Sequence, residues 1–343
     1  MCNYQEKNIL FSTDGILGYK ESVQNELEKR FKYVEYIEKD IHQDCKKDFF
    51  YKFLRELSRK ETESGILYKL FKKYKEKYIS KLMEQFSEKF DYFLVVAGQE
   101  FSKDFISELK RRNPQIKCIL FLWDTLEETA LKNSAFEYDY VFSFDPEDCK
   151  KYNFKFRPIF YIEECENNVP SFEEKEYDLY YLGALRDKKR LNIVRKFEEY
   201  SKNKNLKNFL RVVYNKKTIK ILNGKNKDKF LSDQKISYKE NREILKKSKV
   251  VLDLNFEKQN GLTIRASEAI GTKTKIITTN KYINQYDFYD ENNVYYIEKE
   301  EEIKDIPISF FKTKYKDIKE EVKRKYTTAG FIEDIFERIE EEK

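Results

Sequence analysis

The segment Gln259-Asn260-Gly261-Leu262-Thr263-Ile264-Arg265-Ala266-Ser267-Glu268-Ala269-Ile270-Gly271 gathers groups suited to an anionic, polyhydroxylated ligand. It follows the apolar run VVLDL (250–254) and opens a helix. Gly261 admits close backbone approach, and free N–H groups around Leu262 and Thr263 favour a phosphate or carboxylate. Arg265 can fork onto a diphosphate, and Glu268 can accept hydrogen bonds from a ribose or sugar diol. Three residues apart, these two occupy adjacent positions on one helical face. The same spacing also fits a plain Thr263 helix cap with a surface ion pair between Arg265 and Glu268.

Two aspartates in the N-terminal half follow apolar runs. Asp14 lies in the loop Ser12-Thr13-Asp14-Gly15 after NILFS (8–12), and Asp124 follows CILFLW (118–123), with Trp123 as a ring-stacking platform. Either carboxylate can serve as general base on an acceptor hydroxyl. Each also has a structural reading, Asp14 as a turn residue and Asp124 as N-cap of a helix over Leu126–Lys132. His42, the one histidine, sits in the polar stretch KDIHQDCK. That excludes His-based triads and His-rich metal sites. There is no D-x-D pair, no Walker A loop and no G-x-G-x-x-G, so no metal site or nicotinamide cofactor is expected.

The elements that must position these residues alternate. In the N-terminal half, strands are expected over 8–12, 33–37, 92–97, 118–123 and 140–144, with helices over 19–32 and 102–112 and helical periodicity over 48–89. The polar, acidic stretch 163–176 reads as a linker. A second series follows, with strands over 178–182, 209–214, 250–254, 275–279 and 293–297. Its helices run over 187–203, 239–247 and 262–270, the last capped by Gly271. Near-continuous apolar runs separated by helices predict buried parallel strands in right-handed βαβ units. The fold class is therefore α/β: two Rossmann-like open parallel-sheet domains facing a cleft, 1–162 and 177–312, with a charged C-terminal helix over 313–343. Ligands of such sheets bind at the carboxyl ends of the strands.

The run from Ile236 to Asp253, followed by QNGLTIRASEAIGTKTKIITTN, resembles the C-terminal half of bacterial capsular and lipopolysaccharide biosynthesis proteins of GT-B type. The resemblance covers about residues 177–298. It implies a glycosyltransferase in which Glu268 holds the donor ribose and Gly261, Leu262 and Thr263 form the phosphate-proximal loop. Gly183, Arg186 and Lys189, after the domain's first strand, match the basic segment of that pattern. The commoner form carries a second Glu eight residues upstream of the ribose Glu, where this chain has Asn260. The implied partners are a nucleotide-sugar donor and a glycan or lipid-linked acceptor. The rival is a non-catalytic sugar- or nucleotide-binding scaffold in polysaccharide assembly.

Bulk composition limits the alternatives. Lys+Arg (68) and Asp+Glu (62) nearly cancel across 343 residues, so overall charge is no argument for nucleic-acid binding. Five dispersed cysteines give neither a disulfide framework nor a zinc ribbon. Without a secretory signal or a membrane span, the expected location is cytoplasmic. Lysines 69, 72, 73, 75 and 77, interleaved with Leu70, Phe71, Tyr74 and Tyr78, form an amphipathic helix with two readings. It either faces the core or rests at the inner membrane face as a peripheral contact.

Overall fold

The structure, a computed structural model of the chain, describes residues 4–13, 18–37, 49–58, 65–67, 69–71, 73–74, 83–84, 86, 88–96, 101–216, 218–222, 228–255 and 259–342. Contacts divide the chain into two units, Met1–Arg157 with Phe336–Lys343, and Pro158–Ile335.

The first unit holds six parallel strands: β1 (Tyr4–Ser12), β2 (Phe31–Tyr36), β3 (Tyr92–Val96), β4 (Lys117–Leu122), β5 (Tyr140–Ser143) and β6 (Lys155–Phe156). Their order is β2-β1-β3-β4-β5-β6. All of β3 and Cys118–Leu122 of β4 are buried, the pattern of strands covered on both faces. The helices are α1 (Tyr19–Glu28), α2 (Phe49–Ser58), α3 (Lys103–Arg112) and α4 (Pro146–Tyr152). Ser102 caps α3 by accepting from the Phe105 N–H, and Asp145 caps α4 through the N–H groups of Glu147 and Asp148. Phe105, Ile106 and Leu109 of α3 pack on Phe93, Val95, Cys118 and Leu120 in one core.

The second unit repeats the scheme with β7 (Tyr177–Ala184), β8 (Asn208–Val213), β9 (Leu231–Ser232), β10 (Ser248–Asp253), β11 (Lys275–Thr278) and β12 (Val294–Tyr296). Its helices are α5 (Lys188–Asn203), α6 (Tyr238–Lys246), α7 (Ile264–Gly271), α8 (Ile308–Lys312), α9 (Glu320–Lys325) and α10 (Thr328–Glu340). The order β12-β11-β10-β7-β8-β9 is the doubly wound Rossmann order. Its direction reverses between β7 and β10, the topological switch point of the sheet.

Residues 163–176 lie within this unit. Lys175 is buried there, its Nζ donating to the carbonyls of Ser248 (3.0 Å) and Thr272 (2.9 Å) and to Thr274 Oγ1 (3.1 Å). Burial among neutral acceptors pulls its pKa down to about 7. The unit boundary falls inside α10. Phe331 stacks on Phe160 at 4.1 Å in the second unit. Phe336 joins Tyr4, Phe31 and Tyr92 in the first, with ring centroids 5.1–5.3 Å away.

Several local expectations change. The first helix ends at Glu28, and Phe31 already begins β2. In place of a helix over 126–132 there is a turn and a 3-10 segment, Ala130–Asn133. The Leu126 N–H is taken by Asp148 Oδ2 at 2.6 Å. The C-terminal stretch is not one helix, since 313–319 is non-helical between α8 and α9. Gly271 is the last residue of α7, not its left-handed cap; the left-handed residue is Lys273 (φ 49°).

Gly271 has a different purpose. A Cβ there would meet Tyr161 ring carbons at 2.7 and 2.8 Å and Cys165 Cβ at 3.0 Å. Glycine in a helix ordinarily costs about 1 kcal/mol relative to alanine, so Gly271→Ala would stabilise if space allowed. Overpacking reverses the sign here, and Gly271→Ala is expected to lose about 1–3 kcal/mol. Urea unfolding reads this directly, and a raised midpoint would refute the packing argument.

Candidate functional site

The site forms where β7 and β10 end. Asp253, the last residue of β10, has no exposed surface. Its Oδ1 accepts from Thr263 Oγ1 (2.6 Å) and Arg265 Nη1 (3.4 Å), and its Oδ2 from Thr278 Oγ1 (3.0 Å). One carboxylate thus ties together the end of β11 and the start of α7. Thr263 is the N-cap of α7, its hydroxyl also accepting from the Ala266 N–H. The cap reading of Thr263 is therefore correct, but it is one half of a larger arrangement.

Arg265 does not pair with Glu268 on the surface. Its Nη2 donates to the Leu182 carbonyl at the end of β7 (2.6 Å), and its guanidinium lies 5.3 Å from the Tyr181 ring centroid. Arg265 therefore bridges the two strands at which the sheet order reverses. Gly183 serves the same assembly, because a Cβ there would sit 2.4 Å from the Tyr181 hydroxyl. The loop into α7 is fastened by two asparagines. Asn255 Nδ2 donates to the carbonyls of Gln259 and Gly261 (3.2 and 3.1 Å), and Asn280 Nδ2 also reaches Gly261 O (3.2 Å). Gly261 and Leu262 are buried. Gly261 has no left-handed φ; among the described glycines only Gly18 does.

Glu268 is 4% exposed, and its carboxylate makes no hydrogen bond among the described residues. Burial lifts its pKa to about 7, against the opposing pull of Arg242 and Arg265. Arg242 on α6 is itself buried and pairs with Glu164 at 3.1 Å. Tyr180, beneath the same helix end, bonds Asn241 through its hydroxyl. No protein donor among the described residues reaches this carboxylate.

In the same unit, α5 begins after Asp187, whose side chain accepts from the Arg190 N–H at 2.7 Å. Lys188, Lys189 and Arg190 occupy the first turn, and Arg186 precedes it; Arg186, Lys188 and Lys189 are exposed. Cations at a helix N-terminus oppose the helix dipole, and an anion placed there relieves them.

In the first unit, Asp124 is exposed just beyond β4, while Asp14 lies outside the described residues. Trp123 is no open platform; it is 8% exposed, and its ring meets Tyr19 edge-on at 5.2 Å. The hydroxyls of Ser12, Thr13 and Thr125, at the carboxyl ends of β1 and β4, are buried without partners among the described residues.

The sequence pattern anticipates the helix α7 but not the contacts that Asp253, Tyr181, Arg242, Asn255 and Asn280 make around it. The one available signal, a lone Asp in the apolar run VVLDL, reads equally as a strand edge.

No family model and no curated protein matches the chain. Solved structures do. An alpha-glucosyltransferase in complex with UDP and a 13-mer DNA containing a central A:G mismatch is similar at a TM-score of 0.63, with 11% identity over 97% of this chain and 99% of that one. The UDP-forming alpha,alpha-trehalose-phosphate synthase from Burkholderia xenovorans gives 0.58, with 11% identity over 96% and 98%. The UDP-GlcNAc 2-epimerase from Neisseria meningitidis bound to UDP-GlcNAc gives 0.51, with 11% identity over 96% and 100%.

Glu268 gives a pH signature. An acid whose folded pKa of about 7 exceeds its reference value of 4.5 keeps its proton in the folded state after the unfolded chain has released it. Folding stability then falls as pH climbs between those values and is level above them, a loss of up to about 3 kcal/mol. Glu268→Gln should remove this component, flattening the difference in urea stability between pH 5 and pH 8. Equal slopes for the two proteins would mean that Glu268 is not held in a desolvated site. With both sheets and their orders in view, the chain has the two Rossmann-like domains of a GT-B fold.

Proposed function

We propose that the second unit binds a nucleotide-sugar and that the protein is a glycosyltransferase acting on a glycan or lipid-linked acceptor. The observation that carries the reading is Glu268, a buried carboxylate without a hydrogen-bond donor among the described residues, borne on the helix that starts at the strand switch point. The ribose diol of the donor supplies the two missing donors. Gln259, Gly261, Leu262 and Thr263 line its approach, and Gly183 and Arg265 shape the floor. Arg186 and Lys189 bring positive charge to the diphosphate at the start of α5. Support comes also from the fold neighbours, one in complex with UDP and another bound to UDP-GlcNAc.

In the transfer step, a base takes the proton of an acceptor hydroxyl. That oxygen bonds the anomeric carbon, and the bond from this carbon to the diphosphate breaks, its electron pair leaving with the nucleoside diphosphate. Asp124 and Asp14 are the candidate bases. Arginine and lysine carry the leaving-group charge in this scheme, which needs no metal.

A thermal-shift panel of nucleoside diphosphates tests the donor site. One base should stabilise the wild type by about 2.7 kcal/mol at a hundredfold excess over Kd, and Glu268→Ala should lose the effect. A diol favours the ionised carboxylate, so affinity should rise from pH 6 to pH 8 in the wild type and stay level in Glu268→Gln. Absence of any nucleotide effect would overturn the reading. Binding without release of nucleoside diphosphate in the presence of sugar acceptors would favour a non-catalytic scaffold, in line with Asn260 at the usual second Glu position.

A further inference from the structure

We infer that the first unit docks on an anionic lipid surface through α2 and the helical residues that follow it. The inference is independent of the nucleotide site. Helices on a water-soluble surface bury their large apolar side chains, yet here Phe49 is 82% exposed, Phe50 53%, Phe53 50%, Ile66 76% and Leu70 49%. The two segments adjoin, because the Phe50 ring meets Tyr74 edge-on at 5.6 Å. Phe49 and Phe53 stack one helical turn apart with centroids 6.5 Å apart. Ile66, Leu70 and Lys73 follow at i, i+4 and i+7, and Lys69 and Lys73 are exposed beside them. Large apolar side chains exposed together in this way mark an interaction site.

Charge identifies the occupant. Residues 46–77 contain eleven lysines and arginines against five acidic residues, a net +6. That equals the formal net charge of the entire chain, so the other residues together sum to zero. A cationic segment carrying exposed aromatic and aliphatic side chains fits the anionic headgroup region of a bilayer. There Lys69 and Lys73, both exposed, meet phosphate while the rings and aliphatic chains enter the acyl boundary. No helix among the described residues is long and apolar enough to cross a membrane, so the contact is peripheral. A nucleic acid would use the lysines and could stack on the phenylalanines, but it offers nothing to Ile66 and Leu70. A second copy would set one strongly cationic segment against another.

Vesicle flotation tests the inference. The wild type should partition at least about tenfold more strongly onto phosphatidylcholine vesicles containing phosphatidylglycerol than onto phosphatidylcholine alone, with binding weakened by high salt. Two exposed-surface variants, Phe49→Ser with Phe53→Ser and Lys69→Glu with Lys73→Glu, should each lose most of that partitioning. Both should keep the wild-type circular dichroism and nucleotide thermal shift, so failure here is separable from failure of the donor site. Equal binding by wild type and variants would overturn the inference. So would a phenylalanine-dependent dimer in light scattering, or tighter binding to a short DNA or RNA than to anionic vesicles.

Discussion

Removing a carboxylate from water costs several kcal/mol unless its oxygens receive donors, and Asp253 receives three, from Thr263, Arg265 and Thr278. Each donor fixes a different piece. Thr263 sets where α7 begins, Thr278 ties in the end of β11, and Arg265 carries the link to Leu182 at the end of β7. The geometry at the switch point thus follows from satisfying one buried charge. Tyr181 and Gly183 belong to the same arrangement, since the ring under Arg265 has room only because residue 183 lacks a Cβ.

Glu268 is the counterpoint. It stands five residues along the chain from the Thr263 cap, on the same short helix, and is nearly as buried, but its oxygens have no donors among the described residues. Two positive side chains, Arg242 and Arg265, act on it without bonding it. One carboxylate is thus satisfied by three protein donors, and the other receives none from the described residues. Asp253 holds the helix still, and Glu268 presents an unmet need at a fixed place.

Much of this architecture is readable from the residue pattern because long apolar runs such as those of β3, β4 and β10 cannot stay in water. The helices between them carry strong caps at Ser102, Asp145, Asp187 and Thr263. Two-residue strands such as β6 and β9 leave no periodicity to find. The helix expected after Asp124 fails for a tertiary reason, the capture of the Leu126 N–H by Asp148, 22 residues away. In the candidate site, Glu268 and the loop before it are singled out only through motif resemblance. Asp253 was hidden because a single acidic residue at the end of VVLDL reads as the edge of a strand, and its three partners lie 10, 12 and 25 residues downstream. Gly183 is read from the sequence as part of the basic segment that the resemblance implies and Gly271 as a helix cap, yet at both a tyrosine ring stands where a Cβ would lie.

The division of α10 between the two units bears on how the chain is made. Synthesis is vectorial and domains tend to acquire structure as they leave the ribosome. The aromatic cluster of Tyr4, Phe31 and Tyr92 can assemble early, but its fourth ring, Phe336, emerges only after the whole second unit has been translated. The first unit must therefore wait with an open apolar notch in its sheet. The ring that fills it arrives on a helix whose first turns pack in the other unit, so this aromatic cluster is complete only once synthesis has passed residue 336.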